Sequence, residues 1–190
     1  MKSILVISLL AVALLAIGFA GLRSYFSVAT DANNVSLNVP GTAAVDKDPK
    51  HREAPDVSFK ELNGGTVELR SLRGKVVILD FWATWCQPCV REIPGFIALN
   101  NEYKEKGLQI VGAAVDSGEL AEIKEFAEKH GMNYTVVTAD EEAIDKFGDI
   151  EAIPTTYIID RQGRIRHKHV GFTDKATFEK EIVPLLGETQ

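Results

Sequence analysis

The chain reads as an α/β layered fold with a mixed central sheet and helices on both faces. Three observations predict it. Val76 to Phe81 (VVILDF) and Leu108 to Val115 (LQIVGAAV) are near-continuous apolar runs of strand length, as in strands buried on both faces of a parallel sheet. Each is followed by a stretch with apolar residues at helical spacing. Runs flanking Asn63-Gly64-Gly65 and Arg161-Gln162-Gly163 read as antiparallel hairpins on either side of the parallel part.

The elements follow in order. Val57 to Leu62 and Thr66 to Leu69 form the first hairpin, ahead of the Val76–Phe81 strand. A helix opens near Cys86 and runs to about Lys106, with Val90, Ile93, Phe96, Ile97 and Tyr103 as its apolar positions. Pro94 should kink it, and Gly107 ends it. After the Leu108–Val115 strand, Leu120, Ile123, Phe126, Ala127 and His130 repeat at helical spacing. Tyr134 to Val137 is a short strand and Glu141 to Phe147 a short helix. Thr155 to Ile159 and Ile165 to Val170 pair across their turn. A last helix starts after Thr173 with Phe178, Ile182 and Leu185 inward, kinked or shortened at Pro184.

Three regions divide the chain. Residues 1–26 read as a membrane anchor or signal peptide, 27–51 as a linker, and 52–190 as the folded domain. Ser3 to Leu22 is an uncharged run of twenty residues between Lys2 and Arg23. As a helix at ~1.5 Å per residue it spans ~30 Å, a bilayer's hydrocarbon thickness. Its length favours an uncleaved anchor; Gly18 and Ala20 leave a cleavage site as the alternative. Either reading places the rest outside the cytoplasm. The linker holds Asn33-Asn34, Pro40-Gly41 and Pro49 without an apolar period, a composition that buries too little to order itself.

Charge and cysteine count exclude some functions. The net charge is −6, with no cluster of Lys and Arg, which argues against a nucleic-acid partner. Cys86 and Cys89 are the chain's two cysteines. A structural zinc site needs four ligands, usually as two pairs, so no metal site is expected from this pair. A disulfide across three positions closes too small a loop to stabilise much by restricting the unfolded chain.

The chemistry lies in Phe81 to Cys89, FWATWCQPC. The CxxC pair follows a buried strand and opens a helix, where unpaired N–H groups and the positive end of the dipole favour an anion. A free thiol has a pKa of ~8.5; lowering it to ~7 makes about half of it thiolate at neutral pH. Cys86, nearer the helix start and the surface, is the expected nucleophile. Cys89, one turn further in, is expected to attack the mixed disulfide and release the product. Pro88 is tolerated because its missing N–H has no intrahelical partner. Asp80 interrupts an otherwise apolar buried strand, and Glu92 lies three positions past Cys89 on the same helical face. Burial raises a carboxyl's pKa, and a carboxylate of raised pKa is the expected base for Cys89, a role that Asp80 and Glu92 are read as sharing. Against that, Asp80 could simply satisfy buried backbone groups, and Glu92 could be an acid favoured by the helix dipole. Trp85, beside Cys86, is assigned to partner docking and Trp82 to the core. His167 and His169 share a strand face and are read as exposed.

WCQPC after VVILDFWAT resembles the thioredoxin superfamily, and Ala152-Ile153-Pro154-Thr155 resembles its second signature. The resemblance covers about Arg52 to the C-terminus. The N-terminal apolar segment, the hairpin ahead of the buried strand and an inserted helix-strand element between Val115 and Pro154 narrow it to the exported TlpA/ResA-like group. Glu92 matches a glutamate of ResA-like members; Asp80 matches the buried aspartate of classical thioredoxin, where ResA-like relatives often carry Asn. An X-Pro bond is ordinarily trans; the resemblance implies a cis bond at Ile153–Pro154, facing the cysteines. It further implies a thioredoxin-like fold, a thiol-disulfide oxidoreductase without cofactor, and substrate contact through Trp85, Gln87, Pro88, Ile153 and Pro154. Implied partners are disulfide-containing exported proteins, such as apocytochrome c or copper-site cysteines, and a membrane thiol transporter as electron donor. The site would face the periplasm or the outer side of a bacterial cytoplasmic membrane.

Two other readings compete. The Ala54-Pro55-Asp56 opening and hairpin resemble the peroxiredoxins, whose active site reads Pro-x-x-x-Thr-x-x-Cys; here those positions are Leu79 and Ala83. A Cu(I) carrier is the non-enzymatic alternative, since two thiolates suit a soft ion. Related copper chaperones use CxxxC and a distal His, whereas this chain has CxxC.

Overall fold

The computed structural model describes residues 52–148 and 150–188. The anchor or signal segment, the linker and the boundary between them lie outside the described residues. Among the described residues no helix is long and apolar enough to cross a membrane.

Seven strands form one sheet: β1 (Ser58–Glu61), β2 (Thr66–Glu68), β3 (Val76–Trp82), β4 (Leu108–Ala114), β5 (Thr135–Thr138), β6 (Thr155–Ile159) and β7 (Ile165–Val170). Their order is β2-β1-β5-β4-β3-β6-β7. The centre, β5-β4-β3, is parallel; β6 and β7 add antiparallel on one side, and the β1–β2 hairpin closes the other. Among the described residues four α-helices accompany the sheet: α1 (Gln87–Tyr103), α2 (Leu120–Lys129), α3 (Glu141–Phe147) and α4 (Lys175–Gly187).

Every residue of β3 is buried, because both faces of the sheet are covered. On one face Val76 and Ile78 pack with Ile110 and Ile158 beneath α1 (Phe96, Leu99) and α4 (Phe178, Ile182). On the same face Trp82, Ala114 and Val136 meet Ile123 and Ala127 of α2. On the opposite face Leu79 and Phe81 pack with Phe59, Tyr157 and Phe147 of α3. Phe81 meets Phe147 edge-on at 5.1 Å between ring centres. The alternation of β3 thus places Asp80 with Ile78 and Trp82, on the face covered by α1.

Some expectations need correction. The first helix ends at Tyr103, and a 3-10 turn (Lys104–Lys106) carries the chain to Gly107, whose φ of 98° suits glycine. Leu120 is exposed: it is the first residue of α2, before the helix reaches the core, and that helix is closed instead by a reciprocal Glu119–Glu122 capping box. The final helix runs through Pro184 to Gly187. His167 and His169 are not bare strand histidines, because both face Glu181 of α4, at 3.4 and 2.8 Å.

Candidate active site

Cys86 is the residue at which β3 has ended and α1 has not begun. Its backbone is extended, and its sulfur accepts the Cys89 N–H at 3.3 Å, filling the capping role usually taken by Ser, Thr or Asp. Pro88, in the first turn, removes no intrahelical bond. One helical turn brings the Cα atoms to 5.3 Å, and the two sulfurs form a disulfide. Both cysteines are buried, Cys86 by little less than Cys89, so the expected contrast in exposure is small. The surroundings explain it: Cys86 packs into the same apolar cluster as Cys89, with Ala83 and Ile153 beside it.

The Ile153–Pro154 peptide is cis, and the Ile153 carbonyl oxygen lies 3.7 Å from the Cys86 sulfur. The second signature and the CxxC pair therefore meet in space. Pro154 is held in turn, its carbonyl accepting the Gly171 N–H at 2.8 Å. Trp85 stands out from this surface, 59% exposed, with its indole N–H donated to the Asp116 carbonyl at 2.8 Å. Asp116 is the one non-glycine among the described residues with positive φ, 43°. Gln87 is exposed and Pro88 half-buried at the start of α1.

Two carboxyls lie buried on the α1 side of the sheet. Asp80 of β3 stands directly opposite Thr156 of β6, and the Thr156 hydroxyl donates to Asp80 Oδ1 at 3.0 Å. Burial pushes the Asp80 carboxyl up to about 7, although the Thr156 bond pulls it down. Glu92 Oε1 accepts the Thr173 N–H at 2.6 Å, while Oε2 has no partner among the described residues. Burial first, and then the Asp80 charge, push Glu92 up to about 8; the Thr173 bond and Arg91 pull the other way. The two acids thus sense one another, and both retain a neutral fraction near pH 7. Thr156 and Thr173 were not singled out in the sequence. Strand register brings the first to Asp80, and the loop after β7 brings the second to Glu92. An alternation count along β6 would have put Thr156 on the Asp80 face, but only with the pairing known.

The arrangement is one in which a dithiol and a disulfide can exchange: a sulfur at a helix start, a second sulfur one turn on, and buried acids on the same side of the sheet. Comparison with known proteins agrees. Residues 51–168 match the model of the AhpC/TSA family. The chain belongs to the AhpC/TSA family. Within it, the chain is 36% identical over 133 residues to the thioredoxin-like protein YneN of Bacillus subtilis, covering 69% of this chain and 77% of that one. It is 33% identical to the thiol-disulfide oxidoreductase ResA of Geobacillus kaustophilus, over 68% of this chain and 74% of that one. A solved thiol:disulfide interchange protein from Chlorobium tepidum superposes with a TM-score of 0.67 at 34% identity, covering 72% of this chain and 97% of that one. The thioredoxin-like fold and the ResA-like resemblance read from the sequence both hold, and this AhpC/TSA-family protein is a thiol-disulfide oxidoreductase.

Proposed function

We propose that the protein reduces disulfides of proteins outside the cytoplasm, with Cys86 as the attacking and Cys89 as the resolving residue. The observation that carries this reading is the Cys86 sulfur at the start of α1, accepting the Cys89 N–H beside the Ile153 carbonyl. In the reduced protein the same N–H and the helix dipole stabilise a Cys86 thiolate. That thiolate attacks one sulfur of a substrate disulfide and expels the other as a thiolate, leaving Cys86 in a mixed disulfide. Cys89 gives up its proton, attacks the Cys86 sulfur, and frees the second substrate thiol. The product is the Cys86–Cys89 disulfide seen in the structure, and two electrons have passed to the substrate.

No cofactor enters this exchange; the cysteine pair carries the electrons. The oxidised pair must be reduced again, and a membrane thiol transporter is the proposed donor. Ser3 to Leu22 is the proposed tether, or a signal peptide, placing the site on the outer face. Substrates of this kind include the haem-attachment cysteines of apocytochrome c and cysteine copper sites. Trp85, Gln87, Pro88, Ile153 and Pro154 are the proposed substrate contacts.

Equilibration of the protein with glutathione or dithiothreitol buffers tests the direction. A reduction potential of about −270 mV is that of a reductant, and one of about −120 mV, that of a strong oxidant, would overturn it. Membership of the AhpC/TSA family calls for one competing reading, a peroxidase. It is disfavoured because Leu79 and Ala83, both fully buried and apolar, occupy the positions of the peroxidase proline and threonine. Peroxide consumption as fast as insulin reduction would reverse that preference.

A further inference from the structure

Beside the disulfide, on the face of the sheet covered by α3, lies a groove of about 850 Å³. Trp85 forms one wall, braced by its bond to Asp116. Val115, Ala139 and Ile153 line it, and Ile144 of α3 and Ile150 add further apolar surface. This side of the molecule is built by α3 together with the loop that follows it. The groove is continuous with the redox site: Trp85 precedes Cys86, and Ile153 both lines the groove and sets its carbonyl 3.7 Å from the Cys86 sulfur.

The charges on the groove have one sign. Asp116, Asp140, Glu141 and Glu151 line it, and among the described residues no Lys, Arg or His does. Asp140 is occupied, since its Oδ1 accepts the Ala143 N–H. Glu141 and Glu151 are exposed. Lys146, the basic residue of α3, pairs with Glu142 instead. An apolar floor with an acidic rim complements an apolar side chain next to a cation.

We propose that this groove, which includes the substrate contacts Trp85 and Ile153, selects in the segment flanking the substrate's reactive cysteine an apolar side chain adjacent to Lys or Arg. The inference rests on the reductase reading and adds its substrate class. The apolar side chain enters between Trp85 and Ile144. The neighbouring cation meets Glu141 or Glu151. Exposed rim charges act mainly on the rate of encounter, so the preference is strongest at low ionic strength.

Single-turnover reduction by the full-length reduced protein tests it. Three cyclic peptides share a Cys-Ala-Ala-Cys disulfide and differ in the flank: Leu-Lys, Leu-Glu or Gln-Lys. Oxidised glutathione serves as a disulfide with no flank to bind. The Leu-Lys peptide is expected to react about fivefold faster than either of the others at low salt, with the Lys-over-Glu part of the advantage shrinking in high salt. In the E141K/E151K variant the Leu-Glu peptide is expected to overtake the Leu-Lys peptide. Equal rates for the three peptides, or an unchanged order in the variant, would overturn the assignment. So would a variant whose only change is in oligomeric state, which would make the groove a contact between copies of this chain. If the protein reduces glutathione disulfide but treats all peptides alike, the groove assignment alone fails. If it reduces none of them, the reductase reading fails and the groove assignment with it.

Discussion

The Cys89 N–H points at the Cys86 sulfur across 3.3 Å, so the first cysteine of the pair caps the helix turn that carries the second. This one-way relationship separates two residues that burial barely distinguishes. After reduction, Cys86 keeps the capping N–H and the end of the helix dipole, whereas Cys89 lies inside the first turn among apolar neighbours. Limiting iodoacetamide at pH 7, followed by peptide mapping, is therefore expected to label Cys86. Preferential labelling of Cys89 would reverse the assignment of nucleophile.

The two buried acids make stability depend on pH with an unusual sign. Asp80 is held up at about 7 and Glu92 at about 8, both above ordinary carboxyls. Each binds its proton more tightly folded than unfolded. Their stabilising contribution is thus complete below about pH 4 and is lost as pH rises through about 7 and 8. For Asp80, which is buried, the loss is on the order of 2–4 kcal/mol. Asp80→Asn is expected to raise the urea midpoint at pH 8.5 and leave it almost unchanged at pH 4. A variant less stable than the wild type at pH 8.5 would show that the charged carboxylate is well satisfied in the fold.

Much of this was legible in the sequence because the signals were local. VVILDF and LQIVGAAV are apolar runs of strand length rich in β-branched residues, and they form β3 and β4; Cys86 opens a helix because Pro88 and the apolar spacing of Ile93 and Phe96 follow it. Asp80 and Glu92 stood out as a polar residue in an apolar run and an acid at a fixed distance from a cysteine. What was not legible depends on register and on distant segments meeting. Thr156 reaches Asp80 through a β3–β6 pairing 76 residues long in sequence, and Thr173 reaches Glu92 from the loop ahead of α4. His167 and His169 looked solvent-facing because nothing in the strand announces that Glu181 will pack across it. The groove was invisible for the same reason, since Trp85 and Ile144 share no local pattern.

Trp85 is mostly exposed, and its indole N–H is donated to the Asp116 carbonyl. Removing it leaves no core cavity. Trp85→Ala is expected to change stability by less than about 1 kcal/mol, in keeping with surface positions. Its effect belongs in docking. The rate of protein-disulfide reduction is expected to fall about tenfold, by loss of a buried aromatic anchor in the complex, and to fall less for oxidised glutathione. Equal losses on both substrates would place Trp85 in the chemistry of the thiol rather than in docking.

The last expectation concerns the proton on Cys89. Release of substrate from the mixed disulfide requires a Cys89 thiolate, and a nearby carboxyl with a raised pKa is the natural acceptor. Glu92 has an acceptor to spare: Oε1 is fixed by the Thr173 N–H at 2.6 Å, while Oε2 is buried and has no partner among the described residues. Asp80 stands close enough for its charge to raise Glu92, so a proton taken by one makes ionisation of the other easier. Glu92→Gln preserves an oxygen for Thr173, and Asp80→Asn one for Thr156, so the local fold is kept while the base is lost. Each substitution is expected to slow release at neutral pH, and the double variant to slow it about a hundredfold, within the usual range for a general base. Attack by Cys86 should be largely retained. Rapid-quench trapping of the mixed disulfide separates the two steps. If the double variant releases substrate at the wild-type rate, neither acid is the base, and both serve only to fill and hold the space beneath α1.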